Sequence, residues 1–583
     1  MRVFTLALLC CVFCVAQTQA QYFFQTKIVN NNFITTPYQG AHICISGDGN
    51  TMMIGAPRDS NKRGSVHIYN RQGNAWVFDT TIWAPLKNLF VNGNYVDNGF
   101  GSAIAMSKDG SRAAIGRWGD NDGSGGVWIF EKDVNGDWSD VTGWLHPSGT
   151  QWLWSRYGIS LDMTDDGNTI VVGASAYGTG GAAYIIYKSG STWSTYLLAA
   201  GSDNSGLDVA IAGNGSRVFI GEPTGNKIQE WEMTSWWTYK GYIPVISTSY
   251  PSLQGQSIDA SYTGDTLVAG TINFGGPTTG VVAMKRSSTG VWSQIGTSII
   301  AQNSVTFVNK VALSADAKRV VFSSPEENSQ AGAAYYSELD ATGNWTQPLR
   351  LYGNGAIGNA HQGYGLAISG DGNVIASGGY ADNSNLGATW IFTQMQPQLA
   401  AGTITGSPFC KSTSYTATVP FTANMTGGMY DVQLSDANGS FTLPSVIGSG
   451  SSNPIIVSIP ANTPAGINYR MRVVYTGGGD LNNSFEGAPN SAPLAINACT
   501  SVDDVASMKL KVYPNPASNG IRVEGLTRSL HYSMVNVAGA VMQTGELTPQ
   551  NATVNFNAPG GVYFIQLRDG DSYLGSVRVV VQH

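Results

Sequence analysis

Residues 39–57 read Q-G-A-H-I-C-I-S-G-D-G-N-T-M-M-I-G-A-P, and this pattern returns six more times along the chain. The first copy continues with G-S-V-H-I-Y at 64–69 and W-V-F-D-T-T-I-W-A-P at 76–85. These are four short runs of β-branched, aromatic or alternating apolar residues, separated by Gly, Asp and Asn, as in an antiparallel meander of four strands. One copy therefore has the length and the pattern of one β-propeller blade.

The copies share three landmarks. A tight turn, usually Asp-Gly or Asn-Gly, supplies the positive φ that a hairpin needs. Six residues after that turn, the second strand ends on a glycine in six copies and on a serine in one: Gly55, Gly116, Gly173, Gly221, Gly270, Ser323 and Gly378. A tryptophan opens the fourth strand in six copies: Trp76, Trp138, Trp193, Trp236, Trp292 and Trp345.

The seventh copy stops at Phe392 without a fourth strand, and the N-terminal part of the chain offers a replacement. Residues 22–29, Y-F-F-Q-T-K-I-V, align with W-V-F-D-T-T-I-W at 76–83. A ring closed by this strand would leave no exposed sheet edge. The sequence therefore predicts a seven-bladed β-propeller over residues 21–398, in which residues 21–31 complete the last blade.

Composition limits the remaining choices. A chain of 583 residues is too long for one core, and 12% charged residues with 72 glycines indicate a turn-rich, all-β protein. The net charge of -7 argues against a nucleic-acid partner. Residues 1–20 combine Arg2, an apolar core and a small residue at Ala20, which predicts a signal peptide. No later apolar run is long enough to cross a membrane.

The repeats resemble FG-GAP-like propellers, whose pattern S-x-D-G-x-x-x-x-x-G-A-P is clearest at 46–57, 107–116 and 369–378. Related integrin-type repeats hold calcium in a loop of spaced carboxylates, so the resemblance makes calcium the candidate cofactor. The Asp-Gly turns offer too few oxygens for calcium and are interpreted as turns. The better candidates for metal ligands are Asp120 and Asp122 in the second-to-third-strand loop of repeat two, and Asp382 in the matching loop of repeat seven. The alternative is that these are solvated loop residues.

Three tryptophans crowd the link between repeats two and three, outside the regular position: Trp144, Trp152 and Trp154. Exposed aromatic rings stack on sugars or anchor a protein partner, because they bury a large area at little cost in entropy. This makes the three residues candidate binding residues. The alternative is that they pack between adjacent blades.

Residues 400–500 lack the repeat and alternate as strands of a sandwich about 100 residues long. Segments 406–410, 433–441 and 460–470 resemble the immunoglobulin-like spacer modules of secreted Bacteroidetes proteins. Cys410 and Cys499 flank this region, and in an exported protein they predict a disulfide. Cys44 is predicted to be a buried free thiol.

Residues 508–583 resemble the C-terminal sorting domain of the type IX secretion system. The resemblance rests on Val512-Tyr-Pro-Asn-Pro516, Gly560-Gly-Val-Tyr-Phe-Ile-Gln-Leu567 and the closing Val577-Arg-Val-Val-Val581. It implies a second small sandwich, the type IX secretion machinery as a partner, and a location in the medium or on the outer cell surface. The predicted fold class is thus all-β, a seven-bladed β-propeller followed by two small β-sandwich domains.

Chemistry is sparse in this sequence. The six histidines are scattered, and neither a nucleophile motif nor a phosphate loop occurs in its required setting. The sequence therefore favours a non-enzymatic protein, namely a secreted or cell-surface interaction protein of the adhesion type with an extracellular protein or glycan as its partner. The alternative is a glycan-binding or polysaccharide-degrading propeller that uses the three tryptophans with Asp120 and Asp122.

Overall fold

The computed structural model describes the chain from Phe23 to His583 except residues 74, 86–89, 92–93, 96–98, 120–122, 148–154, 177, 179, 202–203, 245–254, 272–279, 302–307, 395–396, 411–414, 426, 480–483, 498–509 and 571. The predicted signal peptide and the residues Asp120, Asp122, Trp152, Trp154 and Cys499 lie outside the described residues. The chain divides into two compact units, formed mainly by residues before and after Pro397.

Seven antiparallel sheets build the first unit, and each follows the order in which its strands occur in the sequence, except for one strand exchanged from the N-terminus. Blade 1 contains β2 (His42–Ile45), β3 (Thr51–Ala56), β4 (Ser65–Gln72) and β5 (Ala75–Trp83). A small hairpin of β6 (Phe90–Val91) and β7 (Asn94–Tyr95) follows, and blade 2 then contains β8 (Ala103–Met106), β9 (Arg112–Gly116), β10 (Val127–Lys132) and β11 (Trp138–Asp140). Blade 3 contains β12 (Leu161–Met163), β13 (Thr169–Ala174), β14 (Ala182–Ser189) and β15 (Thr192–Ala200).

Blades 4 to 7 continue the same pattern. Blade 4 contains β16 (Val209–Ile211), β17 (Arg217–Glu222), β18 (Lys227–Met233) and β19 (Trp237–Tyr242), and blade 5 contains β20 (Ile258–Ala260), β21 (Thr266–Gly270), β22 (Gly280–Arg286), β23 (Trp292–Gln294) and β24 (Ile299–Ile300). Blade 6 contains β25 (Val311–Leu313), β26 (Arg319–Ser324), β27 (Ala333–Glu338) and β28 (Leu349–Leu351). Blade 7 contains β29 (Gly365–Ile368), β30 (Val374–Gly379), β31 (Ala388–Gln394) and the N-terminal strand β1 (Phe23–Ile28).

The N-terminal strand β1 is the fourth strand of blade 7. It pairs antiparallel with β31, with Phe23 opposite Gln394 and Ile28 opposite Thr389. The first strands of the blades neighbour one another in a closed circle that runs β2, β8, β12, β16, β20, β25, β29 and back to β2. The first unit is therefore a seven-bladed propeller whose first strands surround a central channel.

A belt of backbone hydrogen bonds ties the seven blades together at the end of the channel where the first strands finish. Each bond runs from an amide in the turn after one first strand to a carbonyl in the turn of a neighbouring blade. In order around the ring they join Asp48 to Lys108, Lys108 to Asp165, Asp165 to Gly213, Asn214 to Tyr262, Tyr262 to Ala315, Ala315 to Gly370 and Gly370 to Gly47, at 2.8–3.1 Å. The belt closes on itself, so no blade lacks a neighbour at this level.

The repeated glycine at the end of the second strand has a steric cause. A Cβ on Gly55 would lie 2.0 Å from the carbonyl oxygen of Gly101, and a Cβ on Gly378 would lie 2.0 Å from that of Gly40. Both oxygens belong to the segment that leads into the first strand of the next blade. In blade 6 the position is occupied by Ser323, which has a side chain, and the residue that faces it must then be a glycine. A Cβ on this facing residue, Gly363, would lie 2.6 Å from the Ser323 Cβ. The close approach of adjacent blades therefore explains why the repeat has a glycine at this position.

Three loops between second and third strands form short turns with left-handed backbone, α1 (Asp59–Lys62), α2 (Glu327–Gln330) and α3 (Asp382–Asn385); a 3-10 turn spans Pro223–Gly225. Each of the three turns begins with a buried carboxylate. Asp59, for example, accepts hydrogen bonds from the amides of Ile34 and Ser60 and from the hydroxyl of Ser65. No helix within the described residues has the length and apolar character needed to cross a membrane.

The second unit begins with a small β-sandwich over residues 399–497. Its strands are β32 (Leu399–Ala401), β33 (Phe409–Cys410), β34 (Tyr415–Val419), β35 (Phe421–Ala423), β36 (Gly427–Leu434), β37 (Ser445–Gly450), β38 (Ile455–Ile459), β39 (Gly466–Tyr469), β40 (Met471–Gly479), β41 (Phe485–Glu486) and β42 (Leu494–Asn497). The strands alternate as predicted, with Val432, Leu434, Ile455 and Val457 buried. Cys410 ends β33, but Cys499 lies outside the described residues, so their disulfide stays a prediction.

A second sandwich follows, made of two sheets with the orders β43-β44-β47 and β46-β45-β48-β49. Its strands are β43 (Lys511–Tyr513), β44 (Gly520–Glu524), β45 (Leu530–Asn536), β46 (Val541–Leu547), β47 (Thr553–Asn555), β48 (Gly561–Asp569) and β49 (Ser572–Val581). Asn515 of the Tyr-Pro-Asn-Pro motif holds the final strand, since its amide group donates to the carbonyl of Arg578 and accepts from the amide of Val580. The predicted fold class, a seven-bladed propeller followed by two small sandwiches, is confirmed.

Candidate functional site

Strained backbone marks the face of the propeller where the first strands begin. Tyr38, Arg156 and His361 have φ values of 57°, 55° and 55°, each two residues before a glycine that leads into a blade. Non-glycine residues in this left-handed region cost about 1–3 kcal/mol, and such residues cluster at functional sites. We call the face formed by these segments and by the loops between second and third strands the channel mouth. The strained backbone makes this face a candidate functional site.

A cavity of about 330 Å³ opens at the channel mouth. Its walls include four aromatic side chains: Tyr38, Trp118, Tyr364 and Tyr380. The ring centroids of Tyr38 and Tyr380 are 5.4 Å apart in a stacked arrangement, and Tyr364 meets Tyr380 edge-on at 4.6 Å. The rings thus support one another and form a preformed aromatic wall. Concave sites of this size and lining are typical of ligand pockets.

Cationic groups accompany the aromatic wall. The guanidinium of Arg58 lies 4.5 Å from the Tyr38 ring centroid, and that of Arg156 lies 5.7 Å from the Trp118 ring. Nδ1 of His361 is 3.4 Å from a carboxylate oxygen of Glu326. Guanidinium groups stacked on rings keep their planar hydrogen-bond donors at the edge of the cavity. The mouth can therefore hold a flat apolar group together with a polar or anionic substituent.

Below the mouth, Asp162, Asp208 and Asp259 line the channel, and Asp165 lines it at the belt. Each of the first three accepts a hydrogen bond from the first strand of the next blade, namely from the amides of Ile211 at 2.7 Å, Ile258 at 3.0 Å and Leu313 at 2.7 Å. Asp208 also lies 3.6 Å from the ammonium of Lys310. These carboxylates link blades 3, 4, 5 and 6 from inside.

Burial perturbs the titration of the channel groups. Burial raises the pKa of Asp259 to about 7, with the nearby Asp208 charge adding to this rise. Burial and the charge of Asp259 hold the pKa of Asp162 well above its ordinary value. Burial, with the charge of Lys310, lowers the pKa of His42 to about 3. Perturbed groups in a cleft are candidates for function, although these aspartates already serve as structural links.

We expect the contribution of Asp259 to the stability of the propeller to fall as the pH rises from about 4 to 7, whereas the lowered pKa of His42 contributes with the opposite sign. Because the folded pKa of Asp259 lies above its ordinary value, the folded state keeps a proton that the unfolded state releases across this range, and the stabilisation is lost as the pH passes the folded pKa. Urea unfolding between pH 4.5 and 8 should show this contribution as a difference in slope between the unmodified chain and Asp259→Asn, which lacks it. Asp137→Asn, at an exposed site, should have the slope of the unmodified chain. An equal slope in Asp259→Asn would refute the assignment.

The predicted site residues that can be placed have structural contacts. One oxygen of Asp382 lies 2.7 Å from Nζ of Lys27 and the other accepts the amide of Ile357 at 2.6 Å. Nε1 of Trp144 donates to the carbonyl of Gly125, and its ring centroid is 4.0 Å from that of His146. The described residues contain no cluster of three or more metal-ligating side chains.

The Asp-Gly turns are stabilised from within, as their interpretation as turns predicts. Oδ1 of Asp48 accepts a hydrogen bond from the hydroxyl of Ser46 at 2.5 Å and another from the amide of Asn50 at 2.9 Å. Asp371 makes the same pair of bonds with Ser369 and Asn373 in blade 7. The serine of the repeat therefore stabilises the turn.

Sequence reasoning missed the channel and the mouth. Asp162 and Asp259 occupy the same place in repeats three and five, inside otherwise apolar strands, and a carboxylate in such a strand was the available signal. The aromatic wall had no such signal. Tyr38 and Tyr380 come from different blades at opposite ends of the propeller sequence, and only ring closure brings them together.

Comparison with known proteins identifies the tail. Residues 511–582 match the family described as the secretion system C-terminal sorting domain. The predicted location is confirmed: the chain is exported by type IX secretion to the cell surface or the medium, and the secretion machinery is a partner. No curated protein matches the chain.

Solved structures similar to this chain are distant. A hydrazine synthase of Kuenenia stuttgartiensis is 12% identical with a TM-score of 0.42, over 62% of this chain and 98% of that one. A periplasmic gluconolactonase of Pseudomonas aeruginosa is 9% identical with a TM-score of 0.41, over 57% and 96%. A putative 6-phosphogluconolactonase of Bacteroides uniformis is 11% identical with a TM-score of 0.40, over 57% and 98%.

Proposed function

We propose that this chain is a secreted or cell-surface interaction protein of the adhesion type, whose propeller presents its ligand site at the channel mouth. The observation that carries the proposal is the cavity of about 330 Å³ with its wall of stacked aromatic side chains. Rigid aromatic anchors bind extracellular proteins and glycans well, because they bury a large area while losing few rotamers.

Binding is favoured over catalysis by the way the polar groups are used. The carboxylates of Asp162 and Asp259 each accept two backbone hydrogen bonds, which fixes them as links between strands. The described lining of the mouth cavity contains tyrosines and an arginine but no carboxylate or histidine. His361 lies beside Tyr380, and its Nδ1 is 3.4 Å from a carboxylate oxygen of Glu326. General acids and bases are most often histidines or carboxylates within hydrogen-bond reach of the ligand. The groups that line this cavity favour recognition.

The glycan-binding or polysaccharide-degrading alternative rests on Trp144 with Trp152, Trp154, Asp120 and Asp122. Trp144 is half-buried against Gly125 and His146, and the other four lie outside the described residues, so this alternative stays a prediction. Calcium binding stays one too. We also propose that the propeller consists of FG-GAP-like repeats, that residues 400–500 form an immunoglobulin-like spacer, and that the source is a member of the Bacteroidetes.

The test compares aromatic residues at the two ends of the channel. Tyr364 is 41% exposed at the mouth and Tyr262 is 43% exposed at the belt, so Tyr364→Ala and Tyr262→Ala remove similar rings from opposite faces. The probes are a glycan array and immobilised collagen, fibronectin and laminin. We expect Tyr364→Ala to weaken the binding seen with the full chain about tenfold or more, with Tyr262→Ala binding normally. Equal binding by both variants would refute the proposed site.

A further inference from the structure

The outer surface between blades 3 and 4 carries a second group of aromatic side chains, which we call the aromatic groove. One wall comes from blade 3 and contains Tyr187 and Tyr196. The other comes from blade 4 and contains Trp231, Trp236, Tyr239 and Tyr242. Ile185 of blade 3 and Trp231 of blade 4 pack in the apolar core between these two blades. Tyr196 lies opposite Ile185 in the strand pairing, and Tyr239 lies opposite Trp231. Because directly opposite residues lie on the same face of a sheet, the two walls face each other.

The rings form two linked sets along the groove. In the first set, Trp236 meets Tyr187 and Tyr196 edge-on, with centroids 5.7 Å and 5.5 Å apart, and so bridges the two blades. In the second set, the Tyr239 centroid lies 5.3 Å from that of Trp231 and 6.0 Å from that of Tyr242. From Trp236 to Tyr242 the outer strand rises roughly 20 Å, at about 3.3 Å per residue.

Exposure sets this groove apart from the other spaces between blades. Tyr196, Trp236, Tyr239 and Tyr242 are 45–49% exposed, and they are four of the ten exposed aromatic side chains among the described residues. The sequence alignment predicts Trp236 to be the regular tryptophan of the repeat, and the structure shows that this is wrong. Trp237 takes the buried position at the start of β19, which leaves Trp236 on the surface with no role in the core.

We propose that the aromatic groove binds an extended neutral carbohydrate chain. Sugar rings present flat C–H faces that stack on aromatic rings, and their hydroxyls need hydrogen-bond partners beside those rings. The four tyrosines supply such partners at their tips, and the oxygens of Tyr187 and Tyr196 lie 3.4 Å apart. The length of the groove suits several consecutive sugar units. This inference does not depend on the channel mouth being a ligand site.

Charge and packing favour a neutral carbohydrate over a charged one. Glu232 of the neighbouring strand β18 is paired with Arg217 at 2.7 Å and with Lys240 at 3.1 Å, so its charge is compensated. Burial and the nearby carboxylate of Glu222 raise the pKa of Tyr242 to about 12, so this hydroxyl remains a donor under all physiological conditions. Lys227 already lies over the Tyr242 ring, with its ammonium 5.2 Å from the ring centroid. The other rings of the groove and the tyrosine hydroxyls are neutral, and these are the groups that the carbohydrate would meet.

Affinity gel electrophoresis of the full mature chain tests the proposal, with xyloglucan, glucomannan, xylan and mixed-linkage β-glucan cast separately into native gels. At least one polysaccharide should retard the chain. The double variant Trp236→Ala/Tyr239→Ala should raise the apparent Kd about tenfold or more, because stacked aromatic anchors dominate such sites. Tyr239→Phe keeps the ring and should retain most of the binding.

Two controls keep the result specific to the groove. Phe78→Ala removes a 37% exposed ring from the corresponding outer strand of blade 1, and Tyr262→Ala removes a 43% exposed ring at the belt. Both should be retarded like the unmodified chain. The proposal is overturned if no polysaccharide retards the chain, or if the double variant is retarded normally. Sedimentation velocity showing a dimer that only the double variant dissolves, without polysaccharide binding, would also overturn it by assigning the groove to a second copy.

Discussion

A mature chain that lacks residues 21–31 is expected to aggregate, or to unfold at a much lower temperature than the intact protein. The deletion removes β1, exposes the edge of β31, and deprives the core of the buried side chains of Phe23, Phe24 and Ile28. At about 2 kcal/mol for each buried side chain the loss amounts to roughly 6 kcal/mol, without counting the ion pair of Lys27 with Asp382.

Calorimetry and light scattering would measure this effect. Thr26→Ala is the matched control, because Thr26 is an exposed residue of the same strand and its replacement should leave the melting temperature nearly unchanged. A synthetic peptide of residues 21–31 added to the truncated chain should restore part of the lost stability. The closure would be refuted by a truncated chain that stays monomeric and melts like the intact one.

The second large effect concerns export. A chain without residues 508–583 is expected to accumulate in the periplasm as a folded propeller, because the sorting domain at 511–582 is what directs the chain to type IX secretion. The intact chain should reach the surface or the medium, with its tail cut or exchanged for an anchor in the segment before Lys509. Cell fractionation and mass spectrometry of the C-terminus would measure both outcomes.

A point variant separates the sorting surface from the mere presence of the tail. Asn515→Ala removes the two hydrogen bonds that the Asn515 side chain makes with β49, whereas Asn551→Ala alters an exposed residue of a turn in the same domain. Export should fall with the first change and remain with the second. If the truncated chain is found outside the cell, the tail is not needed for export and the prediction is wrong.

The repeat unit was predictable because its glycines and turn residues each meet a specific steric or hydrogen-bonding requirement that every blade shares. A Cβ at Gly55, Gly116, Gly173, Gly221 or Gly378 would lie 2.0–2.2 Å from a carbonyl oxygen of the adjacent blade, and the Ser46–Asp48 bond explains the turn signature. The alignment of Tyr22–Val29 with fourth strands also indicated the pairing of β1 with β31. Trp236 was placed wrongly because two adjacent tryptophans compete for one position, and only burial separates them.

The candidate sites were less accessible to sequence reasoning. The channel mouth combines Tyr38, Trp118 and Tyr380 from three blades, and the aromatic groove combines Tyr196 of blade 3 with Trp236 of blade 4. Residues that meet only across a blade boundary leave no local spacing pattern. Reasoning from spacing led instead to Trp144, whose indole is engaged by Gly125.

The pairing of β1 with β31 also sets the order of events in folding. Phe23 is synthesised before every blade of the propeller, yet its partner Gln394 follows only after six complete blades. Contacts between such distant segments form slowly, because a long loop must close before they contribute any stability. The ring is therefore expected to shut last during biogenesis. Once it has shut, the same strand works as a clasp, because opening the ring between blades 7 and 1 would require β1 to separate from β31.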